Sequence, residues 1–468
     1  MSILEINLND INLVEKYPEY ILYDEDLKNK YGEIHTPYNF IKEMLSTIPI
    51  EYTKKKDYKW LDPGTGRGNF SFCLFCILFK YLQEIIPNDE ERKEHIITNM
   101  IYMVEINEDN INHLKNKFGK KANIFHQDYT QWNTDLKFDF IIGNPPYNCN
   151  GVKKVPTNTM THKKEDGKTI WPQFVKKNIS LLKEGGKMNI LIPSIWLKPD
   201  KAGIYELLLK YEIEKLHTLN ASETNKIFNY QVQTPLCYFL LTKRENEKEI
   251  KKIELYDKQK KAYIDFILKE DIPIPLCFPS IVNKFLTLVD QYGKINVIKT
   301  NMPKKGIELK DTFSLDHPFK NVKTTILNKE KFPELQIRYS NKEMIFNGEP
   351  KIIMAHKMYG FPYVDKEGEY GICARDNYII KDKSVEELEL INEFLSTMLI
   401  LFLFETTRYR MRYLEKYVFE YIPDFSKIPE AIKMYKTNNI DIYKLIGLDE
   451  KEKDFVERYY RIKYNSFK

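Results

Sequence analysis

Asn144-Pro145-Pro146-Tyr147 puts an amide, two proline carbonyls and a phenol ring into four consecutive residues. This set suits methylation of an amino nitrogen, because acceptors for its hydrogens and an aromatic surface arrive together. The tetrapeptide follows Phe138-Asp139-Phe140-Ile141-Ile142-Gly143, which is apolar apart from one Asp and reads as a buried parallel strand. Neither proline can donate to a strand ladder, so the chain must leave the sheet here. Open α/β sheets bind their ligands at the carboxyl ends of their strands.

A second group of residues has the chemistry of a ligand cradle. Asp62-Pro63-Gly64-Thr65-Gly66-Arg67-Gly68 joins a short apolar run to a strongly apolar helix. Three glycines at alternate positions let the backbone turn sharply and approach a ligand closely. Alone, the loop fits either a nucleotide-type ligand or a tight turn, and no Gly-Lys-Ser/Thr phosphate signature follows it. Acidic residues at later strand ends favour the ligand. Glu105 follows Met100 to Val104 directly and could accept both hydroxyl hydrogens of a ribose. Asp128, after the third strand, could accept a hydrogen from an exocyclic adenine amine, and Asp62 ends the first strand beside the place for a cationic amino-acid group. Each could also be a polar strand cap; the order in which they occur argues for a shared ligand.

These residues require an alternating α/β frame, and the sequence supplies one between residues 36 and 243. Strands are expected at Tyr58 to Leu61, Met100 to Val104, Ala122 to Phe125, Phe138 to Gly143, Met188 to Ile192, Leu216 to Leu219 and Leu236 to Leu241. Helices are expected at Asn69 to Ile86, Pro87 to about Thr98, Asn107 to Phe118 and Trp171 to Leu182, the last ended by Gly185-Gly186. The charged run Lys243-Arg244-Glu245-Asn246-Glu247-Lys248-Glu249 has no apolar periodicity and marks a boundary, giving domains 1–243 and 244–468. Beyond it the alternation is lost. Strands are expected near Lys351 to Ala355 and Tyr370 to Ile380, with helices near Val385 to Phe404 and Asp449 to Lys463.

Composition sets outer limits. With 468 residues, 43% hydrophobic and 30% charged, the chain exceeds one ordinary core and fits two domains. No run of about 18 uncharged apolar residues occurs and the first residues do not form a secretory signal, so a cytoplasmic protein without membrane contact is expected. Of six cysteines only Cys73 and Cys76 share a local spacing, and they read as buried thiols, not as a metal site. The net charge of +5 is mild. Basic and aromatic residues interleave in Arg408-Tyr409-Arg410-Met411-Arg412-Tyr413 and Arg458-Tyr459-Tyr460-Arg461-Ile462-Lys463-Tyr464, where they could contact phosphates and bases or form a solvated helix face.

Taken together, Asp62-Pro63-Gly64-Thr65-Gly66, Glu105, Asp128 and Asn144-Pro145-Pro146-Tyr147 resemble, in this order, the S-adenosylmethionine-dependent N6-adenine DNA methyltransferases. Tyr31-Gly32-Glu33-Ile34-His35-Thr36-Pro37 resembles the entry segment of that family, whose Thr-Pro pair lies over the methionine part of the cofactor. The order of these motifs is similar to the gamma arrangement of restriction-modification methylases, and the match covers residues 31 to 243. The resemblance implies a Rossmann-like methyltransferase domain with a mostly parallel seven-stranded sheet, followed by a C-terminal α+β target-recognition domain. It implies S-adenosyl-L-methionine held by Thr36, Pro37, Asp62, Gly64, Gly66, Glu105, Ile106, Asp128 and Asn144.

What the resemblance implies for catalysis is direct in-line methyl transfer to the amine of a flipped-out adenine. The Asn144 side-chain oxygen and the Pro145 carbonyl would accept the amine hydrogens and localise the nitrogen lone pair, with Pro146 shaping the loop. Tyr147 would stack on one face of the base. Phe228 is the candidate for the other wall, and Tyr230 could serve instead. Asn148 to Thr169, with Lys153, Lys154, His162, Lys163, Lys164 and Lys168, reads either as a loop closing on nucleic acid or as a surface insertion. Arg412 to Pro423 is similar to a strand-Pro segment of target-recognition regions. Double-stranded DNA is the implied partner, a separate restriction endonuclease is compatible, and a monomer is expected. RNA or a protein glutamine as acceptor, and a catalytically silent DNA-binding module, are the competing readings.

Overall fold

The computed structural model describes residues 28, 30–149, 168–199, 202–246, 251–269, 271–303, 305–330, 332–355, 361–375, 377–409 and 414–459. They form two compact units, Met1–Leu255 and Tyr256–Lys468. The boundary expected after residue 243 falls inside a strand, because Lys243, Arg244 and Glu245 continue the ladder begun by the apolar residues before them. A charged run on a half-exposed strand end looks like a linker when only its composition is read.

The first unit is built on β1 (Trp60–Pro63), β2 (Ile101–Glu105), β3 (Asn123–His126), β4 (Phe138–Gly143), β5 (Leu182–Pro193), β6 (Tyr211–Leu219), β7 (Leu236–Glu245) and β8 (Lys252–Asp257). Within this unit the strand order is β8-β6-β7-β5-β4-β1-β2-β3. Eight described strands thus replace the seven expected. The additional one, β8, alternates exposed and buried residues, unlike the solidly apolar central strands. The pairings from β3 to β5 are parallel, whereas β7 lies antiparallel between β5 and β6. A Rossmann-like sheet results, mostly parallel as expected.

The central strands are buried on both faces, as a parallel sheet covered by helices requires. Trp60 and Phe140 stack at 4.0 Å between ring centroids, which ties β1 to β4. Covering helices include α1 (Tyr38–Leu45), α2 (Ile50–Thr53), α3 (Asn69–Tyr81), α4 (Asp89–His95), α5 (Glu108–Phe118) and α6 (Trp171–Leu181). The expected helix from Asn69 to Ile86 ends early, at Tyr81, and the charged helix after Pro87 passes into a π-helical turn at Ile96–Met100. Gly185 and Gly186 do not end α6. Leu182 turns extended directly after it, and the glycines lie within β5. Chain order reverses between β1 and β4, the switch point where such sheets open a crevice.

Within the second unit, two four-stranded sheets and several helices confirm an α+β organisation. One sheet has the order Ile298–Lys299, Asn377–Ile380, Lys351–Ala355, Pro362–Asp365, all antiparallel. The other runs Leu309–Lys310, Pro333–Ser340, Phe319–Leu327, Gly371–Ile372. The expected helix from Val385 to Phe404 is two helices, Val385–Leu395 and Met398–Glu405, broken at Ser396 and Thr397. A capping box of Ser384 and Glu387 begins the first of them. Lys416–Glu420 is a 3₁₀ turn, not the strand expected before Pro423.

Candidate active site

Four strand ends deliver the candidate residues. Asp62 closes β1, Glu105 closes β2, Asp128 lies two residues beyond β3, and Asn144 follows β4 immediately. They line one cavity of about 420 Å³ together with Thr36, Gly64, Gly66, Ile106, Pro145, Pro146, Tyr147 and Phe228. Pro37 is outside that lining; it starts α1 at φ −62° and its carbonyl accepts from Ile41 N. Helix α1 is itself fixed to the sheet, since buried Asn189 on β5 donates to Thr47 Oγ1 at 2.8 Å and to the Met44 carbonyl at 3.3 Å.

The glycine loop is held by β2. Gly64 N and Thr65 N both donate to the Val104 carbonyl, and Thr65 Oγ1 donates to the Asp62 carbonyl at 2.7 Å. Two glycines show why side chains are excluded. A Cβ on Gly64, at φ +69°, would lie 3.2 Å from Pro146 Cδ, so the cradle and the catalytic loop are in contact. A Cβ on Gly68, at φ +80°, would lie 2.7 Å from Leu114 and 2.9 Å from Phe118 on α5.

Asp62 is buried, and its carboxylate accepts from Ser71 Oγ at 2.8 Å. Burial pushes its pKa up to about 7, helped by the negative charge of Glu105 and opposed by Ser71. The sequence did not foresee Ser71, which sits in the first turn of α3. Glu105 is more committed than expected. Its Oε2 accepts from Gly66 N at 2.7 Å, and its Oε1 accepts from Ile106 N at 3.0 Å and Asn107 N at 2.8 Å. A carboxylate offers about four acceptor positions, so three backbone donors leave room for one further hydrogen, not for both hydroxyls of a ribose. Burial raises the Glu105 pKa, and its backbone donors oppose that shift. Asp128 Oδ1 accepts from Thr130 N at 2.8 Å and Thr130 Oγ1 at 2.7 Å, which leaves Oδ2 to meet a ligand amine.

In the catalytic loop, Asn144 Nδ2 donates to Thr36 Oγ1 at 3.1 Å, and Asn144 Oδ1 accepts from the Tyr147 hydroxyl at 2.8 Å. Two hydroxyls therefore fix the amide plane and present its oxygen. Thr36 also joins this loop to α3, since its carbonyl accepts from Asn69 Nδ2 at 3.2 Å. A Cβ on Gly32, at φ +72°, would come within 2.2 Å of the Asn148 carbonyl, so the entry segment lies directly against the chain leaving the tetrapeptide. Of the two aromatic candidates, Phe228 is 3% exposed, lines the cavity and meets Phe40 edge-on, whereas Tyr230 is 75% exposed. Of the candidate and its alternative, only Phe228 lines the cavity.

The basic segments are less favourable to direct base contact. Tyr409 is buried and donates to the Ile274 carbonyl at 2.6 Å, and Arg408 pairs with Glu405 at 2.7 Å. Arg410 to Tyr413, Tyr460 to Tyr464 and Lys153, Lys154, His162, Lys163 and Lys164 lie outside the described residues. Among the described residues all six cysteines are free thiols and no helix is long and apolar enough to cross a membrane.

Residues 37–228 match the family model of the Eco57I restriction-modification methylase. Over that stretch the chain is similar to the restriction-modification methylases. The type II methyltransferase M.TthHB8I of Thermus thermophilus is 30% identical over 96 residues, covering 18% of this chain and 22% of that protein. The chain thus aligns with about a fifth of the curated relative's length. Among solved structures, the type IIL restriction-modification enzyme MmeI in complex with DNA is 13% identical, over 94% of this chain and 78% of that chain, with a TM-score of 0.48. The type I restriction enzyme EcoKI M protein is 17% identical over 48% of each chain, with a TM-score of 0.36.

S-adenosyl-L-methionine is the methyl donor expected of such methylases, and the lining suits it. Glycines without Cβ atoms leave backbone accessible, Glu105 retains an acceptor position, and the buried Glu33 Oε1 lacks a hydrogen-bond partner among the described residues.

Proposed function

We propose that this protein methylates the N6 amine of adenine in double-stranded DNA, at a defined sequence, using S-adenosyl-L-methionine. The observation that carries the reading is the meeting, in one cavity, of Asn144 and Pro145 with the glycine loop and the carboxylates of Asp62, Glu105 and Asp128. When bound, the cofactor supplies an electrophilic methyl group on a sulfonium. Thr36, Asp62, Gly64, Gly66, Glu105, Ile106 and Asp128 would hold it, with Pro37 setting the start of α1 behind Thr36.

Adenine's exocyclic nitrogen is a weak nucleophile because its lone pair is delocalised into the ring. Asn144 Oδ1 and the Pro145 carbonyl accept its two hydrogens and draw the nitrogen toward tetrahedral geometry. The amide is already oriented by Thr36 and Tyr147, so little reorganisation accompanies the reaction. Asn144 Oδ1 has a second lone pair, so it can accept from the amine while retaining the Tyr147 hydroxyl. A base must leave the duplex to reach this cavity, and Tyr147 and Phe228 supply aromatic walls for it. The second unit is assigned the task of recognising the DNA target.

Incubation with labelled cofactor and, separately, duplex DNA, structured RNA and release-factor protein tests the acceptor. Label in DNA is expected, and label only in RNA or protein would overturn the assignment. Binding of DNA that is indifferent to cofactor, with no transfer to any acceptor, would favour a silent DNA-binding module.

A further inference from the structure

Glu105 raises a problem that its own hydrogen bonds define. The hydroxyls of a ribose offer two hydrogens, and three backbone amides already occupy the Glu105 carboxylate. A second acceptor is present in the same cavity. Glu33 lines it from the entry segment, and its side chain is 11% exposed. Its Oε2 accepts from Asn110 Nδ2 at 3.1 Å, across 77 residues of sequence, which fixes the carboxylate against α5. Its Oε1 is buried and has no hydrogen-bond partner among the described residues. His35 Nε2 lies 3.6 Å from Oε1, and burial holds the His35 imidazole below its usual pKa, so a charged partner there is disfavoured at neutral pH. A buried carboxylate oxygen without a donor is costly and calls for an explanation.

The direction of Glu33 Oε1 supplies one. It lies 3.8 Å from the position a Cβ would take on Gly66, and Gly66 N is the residue bound by Glu105 Oε2. The two carboxylates therefore face one stretch of the glycine loop, and the negative charge of Glu33 is one of the influences that raise the Glu105 pKa. A pair of hydroxyl donors placed between them would satisfy both and relieve their repulsion.

We propose that Glu33 is a specificity-determining residue for the cofactor, accepting one hydroxyl of its ribose while Glu105 accepts the other. This rests on the S-adenosyl-L-methionine reading given above. The two carboxylates then form a clamp that reads the ribose diol, and Asn110 acts as a positioning residue that aims Glu33. Because Glu33 belongs to the segment that also carries Thr36, diol recognition would fix the entry segment against the catalytic loop.

Calorimetric titration of the full chain with S-adenosylhomocysteine and its 2′-deoxy and 3′-deoxy analogues tests the clamp without any turnover. Wild-type protein should bind the parent ligand and lose roughly 10-fold or more with either analogue, the worth of a hydrogen bond to a charged group. Glu33→Gln, which keeps a carbonyl for Asn110, should lose a similar factor toward the parent and stop discriminating against one of the two analogues. Glu105→Gln should stop discriminating against the other. Wild-type binding of all three ligands combined with an equal loss, or no loss, for all three in Glu33→Gln would overturn the role of Glu33 alone. Failure of the wild-type protein to bind the parent would overturn the cofactor reading and the clamp together. An unchanged melting curve for Glu33→Gln establishes that its affinities report binding.

Discussion

Asn144 is held by hydrogen bonds on both sides of its amide, and this makes the catalytic contribution proposed for it separable from that of its neighbours. Tyr147→Phe keeps the ring and removes only the donor to Asn144 Oδ1. The turnover of methyl transfer should fall about 5-fold to 10-fold, near the worth of one neutral hydrogen bond, while cofactor affinity stays level. An unchanged turnover number would show that the phenol does not orient the amide. Asp62 gives a prediction in pH. Its carboxyl is raised from 3.8 to about 7, so the folded state holds the proton more tightly than the unfolded chain. Its contribution to stability is complete below the unfolded value and is lost as pH rises toward about 7. Melting temperatures of the cofactor-free protein between about pH 4 and 8 should decline from this source. Asp62→Asn should flatten the decline without abolishing it, because Glu105 is shifted in the same direction. A slope identical to wild type would contradict the assignment. The Asn144, Glu105 and Asp128 positions were legible in the sequence because each ends a strand signal. Ser71 and Asn110 were not, since a polar residue on an amphipathic helix carries no mark of the carboxylate it will meet across the fold.

Elements β1, β2, β3 and β4 were readable because apolar runs bounded by turn residues have few alternatives in a buried parallel sheet. Their boundaries moved where context overrode propensity. β1 begins at Trp60, two residues beyond the expected start, because pairing with β2 and β4 begins there. Gly185-Gly186 resembled a helix stop, yet tertiary pairing of β5 with β4 and β7 carries the strand across that region. Gly68 shows the reverse case, in which a residue type announces a packing demand. Gly68→Ala must hold φ +80° and push its methyl into Leu114 and Phe118. A destabilisation of about 1–3 kcal/mol is expected, measured by thermal or urea unfolding, from backbone strain and overpacking combined. Stability equal to wild type would mean that α5 can shift away from the loop at little cost.

The whole molecule divides between a unit whose order of motifs carries a family resemblance and a unit whose sequence carries none of that specificity. Target recognition depends on a few side chains at base edges, and such residues have neither period nor spacing. Of the basic segments singled out there, the described pair Arg408-Tyr409 contributes a buried ring and an internal ion pair instead of an exposed basic surface. DNA binding by a chain of net charge +5 should nonetheless depend on salt. Affinity for duplex DNA should fall about 1,000-fold between about 50 and 200 mM salt if about six phosphates are engaged. A flat salt response, followed by fluorescence anisotropy, would count against a phosphate-tracking surface. The central claim is the acceptor, and single-molecule sequencing of DNA from cells expressing this protein measures it most directly. N6-methyladenine at one recurring sequence in cells with the wild-type chain, and its absence in cells with Asn144→Ala, is the predicted result. Unmodified adenine in cells that contain folded wild-type protein, or equal modification with Asn144→Ala, would contradict the account.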